Sequence, residues 1–222
     1  MPSMLHEAVK RIAKSLAGDY AIYRVFALDL QKPLRDPHDD LTRAGLRCAP
    51  AAGADVMKAR ANVIRHSARY DGPGSQAFAL LRDGEIVALE WYWFGEHRRD
   101  GAFWPLRDGE AESAYIVTVP ELRGQGLAQL IKEYSAIEMR KRGFRRVYGK
   151  IWYTNHASIR ANEKSGFREI ALVVDVYPFG ASPGLIVDGE VRIGRRHTPF
   201  VTRLATITRT GGRRLRCVRR RN

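Results

Sequence analysis

The sequence predicts an α+β domain, a mixed α/β sheet with helices packed on its faces. Three observations carry this. Runs rich in β-branched and aromatic residues alternate with helical periodicity in the order strand, helix, strand, helix, strand from Ser113 to Phe179. Two apolar runs, QAFALLR and EIVALEWYWFGE, are joined by Asp83-Gly84, and a type I′ hairpin turn needs positive φ at both of its central residues. At 222 residues, with 45% hydrophobic and 28% charged side chains, the chain can bury one sizeable core and is not of disordered composition.

Leu5, Ala8, Val9, Ile12, Ala13 and Leu16 recur at helical spacing, so a short amphipathic helix is expected up to Gly18. Residues 19–30 read as a strand, and 31–53, with prolines and little periodicity, as loop with short helical pieces. ADVMKARANVIRHSARY then places Val56, Ala59, Val63 and Ile64 on one helical face. After the hairpin comes a polar connector from Glu96 to Glu110, carrying His97, Arg98, Arg99, Phe103 and Trp104. Next are the strand SAYIVTV, a glycine loop, a helix from about Gly126 to Arg142, the strand FRRVYGKIWYT, a helix near Ala157 to Lys164 and the strand REIALVVDVYPF. GLIVDGEVRIG contains a further Asp-Gly turn and suggests an added hairpin.

The formal charge of +14 and a pI near 10.2 favour anionic partners: a nucleotide cofactor, nucleic acid, an acidic glycan or a membrane face. Much of the excess lies in RTGGRRLRCVRRRN, read as a flexible basic tail or a docking element for a polyanion. Cys48 and Cys217 are far apart and indicate neither a disulfide framework nor a zinc site, which fits a reducing cytoplasm. The N-terminal segment lacks the apolar core of a signal peptide, and no run approaches the roughly 20 apolar residues of a membrane span. A cytoplasmic location is expected.

The chemistry concentrates in Tyr115-Ile-Val-Thr-Val119, Pro120-Glu-Leu-Arg-Gly-Gln-Gly-Leu-Ala128 and the helix that follows, whose apolar face is Leu127, Leu130, Ile131 and Tyr134. Gly124 and Gly126 let backbone N–H groups approach a ligand, the helix N-terminus faces the same point, and Arg123 adds charge, so a pyrophosphate suits the loop. Neither GxxxxGK[ST] nor GxGxxG is present, since position 129 is Gln.

In Arg123, Gly126 and Ala128 the loop resembles the signature of the GCN5-related N-acetyltransferase (GNAT) superfamily: Gln or Arg, two variable residues, Gly, one variable residue, Gly or Ala. Asn155-His-Ala-Ser-Ile-Arg-Ala-Asn-Glu-Lys-Ser-Gly-Phe167 is similar to its second block. The resemblance covers roughly residues 76–177. It implies a GNAT-like acyl-CoA N-acyltransferase fold, a central twisted, mostly antiparallel sheet with splayed strands flanked by helices. Residues 1–75 would supply the first helix, strand and helical segment, 76–180 the core with the acyl-CoA site, and 181–222 a C-terminal hairpin and the basic tail.

It further implies acetyl-CoA, or another acyl-CoA, as cofactor. Pantetheine would bond to the backbone around Val117, Thr118 and Val119, with Arg123, Gly124, Gln125, Gly126, Leu127 and Ala128 holding the pyrophosphate and Asn155 and Ser158 lining the arm. Glu112 is the implied base, Glu90 the second candidate and Glu110 the third. Where many members carry a thiolate-protonating Tyr, this chain has Asn162, which has no proton to give at neutral pH; Tyr153, Tyr115 and Tyr134 lie nearby in sequence.

The implied activity is acyl transfer to a primary amine by direct attack. The acceptor is left open among a small amine, an amino sugar, a protein α-amine or lysine and an aminoacyl-tRNA, with the basic tail favouring an acidic or polyanionic one, and pairing as a homodimer through the last strands is a further implication. The alternative is a non-catalytic acyl-CoA-binding module whose basic tail binds a polyanion such as nucleic acid. Trp91, Tyr92 and Trp93 read as sheet packing or as an aromatic acceptor wall.

Overall fold

Asp83 and Gly84 have φ of 51° and 82°, the left-handed pair that the hairpin requires. The computed structural model describes residues 19–95, 106–177 and 184–187. It contains strands β1 (Asp19–Asp29), β2 (Leu46–Ala51), β3 (Ser75–Arg82), β4 (Glu85–Phe94), β5 (Glu110–Thr118), β6 (Arg146–Trp152), β7 (Arg168–Tyr177) and β8 (Gly184–Val187). The helices are α1 (His38–Arg43), α2 (Gly53–Lys58), α3 (Asn62–Arg65), α4 (Leu127–Lys141) and α5 (His156–Lys164), with 3-10 turns at His66–Tyr70 and Pro120–Leu122.

The chain divides into two compact units. In the larger, Phe26–Lys150 with Asn155–Arg168, β2, β3, β4 and β5 pair antiparallel in sequence order and β6 joins β5 in parallel. This is the expected mixed sheet. One face packs on α2 and α3 through Val56, Ile64, Leu89, Trp91 and Val117. The other packs on α4 and α1 through Leu41, Leu80, Ala88, Leu127 and Ile131. In the smaller unit β7 pairs antiparallel with β8, from Leu172 opposite Val187 to Asp175 opposite Gly184. There the Tyr153 N–H donates to the Ile22 carbonyl at 3.1 Å, and the Tyr23 ring meets Trp152 edge-on.

Two sequence expectations need correction. The stretch expected as loop contains β2, paired with β3 from Leu46 opposite Arg82 to Ala51 opposite Ala77. Pro50 masked it, yet a proline is tolerated on an edge strand because its missing N–H costs no ladder bond on the outer side. The single helix expected over 54–70 is three short pieces. Ala59 and Ala61 are extended, with ψ of 142° and 127°, and Arg65 donates to the Ala59 and Arg60 carbonyls at 2.9 and 2.7 Å, so the broken backbone is satisfied by a side chain. Val56, Ala59 and Ile64 are buried together all the same.

The N-terminal helix, the connector residues 96–105, and the chain beyond Val187 with its basic tail lie outside the described residues. Of the segment expected to form an added hairpin, only Gly184–Val187, as β8, is described. Among the described residues no helix is long and apolar enough to cross a membrane.

Ile64 is fully buried although its helix has four residues, whereas Met57 is 59% exposed. Ile64→Ala should lower unfolding free energy by about 2–5 kcal/mol and Met57→Ala by less than about 0.5 kcal/mol, measured by denaturant titration. Burial pushes the Cys48 thiol up to about 12. Little thiolate therefore exists at neutral pH, and in a Cys217→Ser background Cys48 should resist alkylation in native buffer and react readily in denaturant.

Candidate functional site

The strands β5 and β6 part company halfway along β5. Their parallel pairing runs from Glu110 opposite Arg146 to Ser113 opposite Gly149 and stops. At the same level β5 has a bulge: Trp91 pairs with Tyr115 but Tyr92 with Ser113, which leaves Ala114 as the extra residue. Beyond it, residues 115–118 pair with β4 alone among the described residues, and a cleft of about 580 Å³ opens against them. Its walls come from this segment of β5, the loop and first turns of α4, and α5. All belong to the larger unit.

The backbone facing the cleft is out of phase with expectation by one residue. The Val119 N–H donates to the Val87 carbonyl at 3.0 Å, so Val119 is turned towards β4. Val117, two residues back and opposite Leu89, has the same orientation, because backbone groups alternate along a strand. Ile116 and Thr118 are therefore the residues whose N–H and C=O groups point to the open side. The Thr118 carbonyl accepts a hydrogen bond from Arg123 Nε at 3.3 Å, which ties the loop to the strand end. Of the residues expected to meet the ligand through their backbone, Val117 and Val119 thus turn those groups to β4 and Thr118 to the open side.

Gly124 and Gly126 have φ of 80° and 78°, and nothing stands within 4 Å of where a Cβ would lie on either. The conformation, not crowding, demands glycine here, and side chains are kept off the approach. Gly126 caps α4 without a side-chain hydrogen bond. The Leu127 and Ala128 N–H groups, in the first turn, have no intrahelical acceptor and are open to an anion, as the helix dipole favours. Arg123, Gly124, Gly126, Leu127 and Ala128 all line the cleft; Gln125 is exposed beside it.

On the opposite wall Asn155 caps α5, its Oδ1 accepting from the Ser158 N–H at 3.2 Å, and both residues line the cleft. With Arg123, Lys132, Arg160 and Lys164 the lining carries four cations and no carboxylate. Left-handed glycines, open helix N–H groups and a one-signed charge suit the phosphates of an acyl-CoA.

The three carboxylates are placed differently. Glu112 lies on β5 between Trp93 of β4 and Tyr148 of β6, is 7% exposed, and sits one residue before Ser113, on the sheet face away from α4. Glu90 is fully buried beneath α4. Its Oε1 accepts from Lys132 Nζ at 2.8 Å and Ser113 Oγ at 2.7 Å, and its Oε2 from Ser135 Oγ at 2.8 Å. Tyr92 Oη meets Ser135 Oγ at 2.7 Å, and burial, reinforced by the Glu90 charge, pushes this phenol well above its ordinary range. Glu110 accepts from Tyr148 Oη at 3.1 Å and from the Arg107 N–H at 3.0 Å, which makes it part of the strand's start.

Trp91 and Tyr92 are core residues, and the Trp93 indole donates to the Tyr70 carbonyl at 2.9 Å. Tyr115 lines the cleft and stacks on Tyr70 at 4.6 Å. Tyr134 packs edge-on against Phe78, and Tyr153 is exposed. Asn162 is buried, with Nδ2 donating to the Ser158 carbonyl at 2.9 Å. Lys132 was missed, because a lysine within a helix reads as solvated. The available signal was Glu90, a carboxylate amid the apolar run LEWYWF that needs a buried partner.

The chain is similar to several solved structures. It aligns with a GNAT-family protein from Novosphingobium aromaticivorans at 20% identity over 72% of this chain and 64% of that one, with a TM-score of 0.50. A GCN5-related N-acetyltransferase from Kribbella flavida aligns at 19% identity over 79% and 62%, with a TM-score of 0.47. The GCN5-related glucosamine N-acetyltransferase region of a fungal multi-domain GH3 β-N-acetylglucosaminidase aligns at 11% identity over 76% and 22%, with a TM-score of 0.52. The chain spans less than two thirds of the length of each. At such identities the likeness concerns the fold. No curated protein matches the chain. The acetyltransferase (GNAT) family model matches residues 42–167, more than half of the sequence and further upstream than the motifs reach, and the chain therefore belongs to the GNAT family.

Proposed function

We propose that the protein transfers an acyl group, acetyl being the simplest, from acyl-CoA to a primary amine by direct attack. The observation that carries this is one cleft in which a half-unpaired β5 edge and the Arg123–Ala128 anion cradle lie end to end. Arg123, Gly124, Gln125, Gly126, Leu127 and Ala128 would hold the pyrophosphate. Ile116 and Thr118 would bond the pantetheine amides as a neighbouring strand would, with Asn155 and Ser158 on the far wall. When bound, acyl-CoA supplies the activated carbonyl.

Transfer needs a neutral amine, and Glu112 is the residue to remove its proton, directly or through water. Its burial between Trp93 and Tyr148 suits a base shielded from bulk solvent. Glu90 is less suited, because its oxygens already accept from one ammonium and two hydroxyls. The acceptor class is open. The polyanion-binding role of the basic tail, the homodimer and the cytoplasmic location stand as further parts of this reading.

Calorimetric titration with acetyl-CoA and CoA should show saturable binding, and Gly126→Glu, which puts a carboxylate into the cradle, should weaken it at least about tenfold, a loss of about 1.4 kcal/mol. Absence of binding by folded wild-type protein would remove the acyltransferase reading. With an acceptor identified by screening, Glu112→Gln should lower kcat by about 10²–10⁴-fold while leaving CoA binding intact. Unchanged turnover would exclude Glu112 as base, and CoA binding with no turnover on any screened amine would favour the non-catalytic binding module.

A further inference from the structure

A cation stands at the inner end of the cleft, and the roles assigned above leave it unused. Lys132, on the second turn of α4, is 2% exposed and yet forms part of the cleft wall. Its Nζ donates to Glu90 Oε1 at 2.8 Å and lies 3.4 Å from Ser113 Oγ. Ser113 is the last residue of β5 to pair with β6, so the ammonium sits where the two strands part. The Phe167 ring covers it, 5.0 Å from the nitrogen. Arg123, Arg160 and Lys164, the other cations of the wall, are exposed.

Burying an ammonium is costly unless a negative group faces it. Glu90 supplies that charge, and Ser113 and Ser135 complete the carboxylate's hydrogen bonds. Such a pair contributes little net stability relative to apolar side chains of equal volume, so packing alone does not require it. An ammonium has three N–H donors, and its hydrogen bonds to Glu90 and Ser113 use two of them.

From the cradle, β5 runs back from Val119 to Ser113, roughly 20 Å of strand, a length that matches an extended pantetheine arm. An arm anchored at Arg123–Ala128 and laid along this strand would end beside Lys132. We infer that Lys132 stabilises negative charge on the sulfur of bound CoA, and that Glu90, by its ion pair, is the positioning residue that holds the ammonium in place. This rests on the acyl-CoA reading above. In the transfer the amine forms the C–N bond and gives its proton to the base, and the C–S bond breaks with its electron pair going to sulfur. Lys132 hydrogen-bonds the resulting thiolate and keeps its own proton; the thiolate is protonated from solvent as CoA leaves. Asn162, with an amide in place of an acidic group, has no competing part in this.

The test is the ionisation of CoA itself, followed through ultraviolet thiolate absorbance on the full chain across pH. Bound to wild type, the thiol should titrate about one unit lower than in free CoA, that is about tenfold more thiolate at a given pH below the pKa. The paired variant Lys132→Met with Glu90→Gln, which removes both charges and strands neither, should bind CoA and return the thiol to its free behaviour; Lys132→Arg should retain part of the shift. CoA bound by wild type with an unshifted thiol overturns the inference and leaves the cofactor site standing. A shift that persists in a folded paired variant overturns it too, assigning the effect to the exposed cations. Should that variant fail to fold, the wild-type titration decides. Failure of wild type to bind CoA sinks the acyl-CoA reading and this inference with it.

Discussion

Everything distinctive about the larger unit follows from the end of β5–β6 pairing at Ser113 and Gly149. Backbone N–H and C=O groups are strong hydrogen-bonding groups, and a strand edge left open inside a fold is costly unless something satisfies it. Here the bulge at Ala114 marks where β5 bends away, the Arg123 side chain takes up the Thr118 carbonyl, and α4 and α5 hold the opening apart. The same separation creates the cleft and brings the loop glycines to its mouth.

Charge is arranged by depth around that opening. Exposed arginines and lysine at the mouth favour a phosphate-bearing ligand by long-range attraction that salt screens. Deeper in, the Glu90–Lys132 pair is nearly neutral as a whole and acts over a hydrogen bond's length. Being removed from water, it is little screened, and its geometry is fixed by Ser113, Ser135 and Tyr92. The cations of the cleft wall thus differ in kind, exposed in Arg123, Arg160 and Lys164 and paired within the interior in Lys132.

The two sheet faces also divide the work. The α4 face carries Glu90, Tyr92 and Ser113 in a hydrogen-bonded cluster, whereas Glu112, one residue away, belongs to the opposite face. Glu90, held in that cluster, and Glu112, the candidate base, thus lie on opposite faces of the sheet. The bulge makes this partition possible, since it shifts the register of β5 against β4 between the two.

The motifs at Arg123–Ala128 and Asn155–Phe167, the Asp83-Gly84 hairpin and the strand–helix order through Phe167 were legible in the sequence by itself. Each is a local property: φ-positive glycines, periodic burial, and spacing within one turn or one helix. What only the tertiary structure decided was non-local. Arg65 satisfies carbonyls and so breaks an apparently continuous helical stripe, and β2 forms despite Pro50 because it is an edge. The pairing register turns the backbone N–H and C=O groups of Ile116 and Thr118, not those of Val117 and Val119, towards the cleft. Glu90 and Lys132, far apart in the chain, meet at 2.8 Å. Register and charge pairing depend on which strand and helix lie alongside, and no window of the sequence contains both partners.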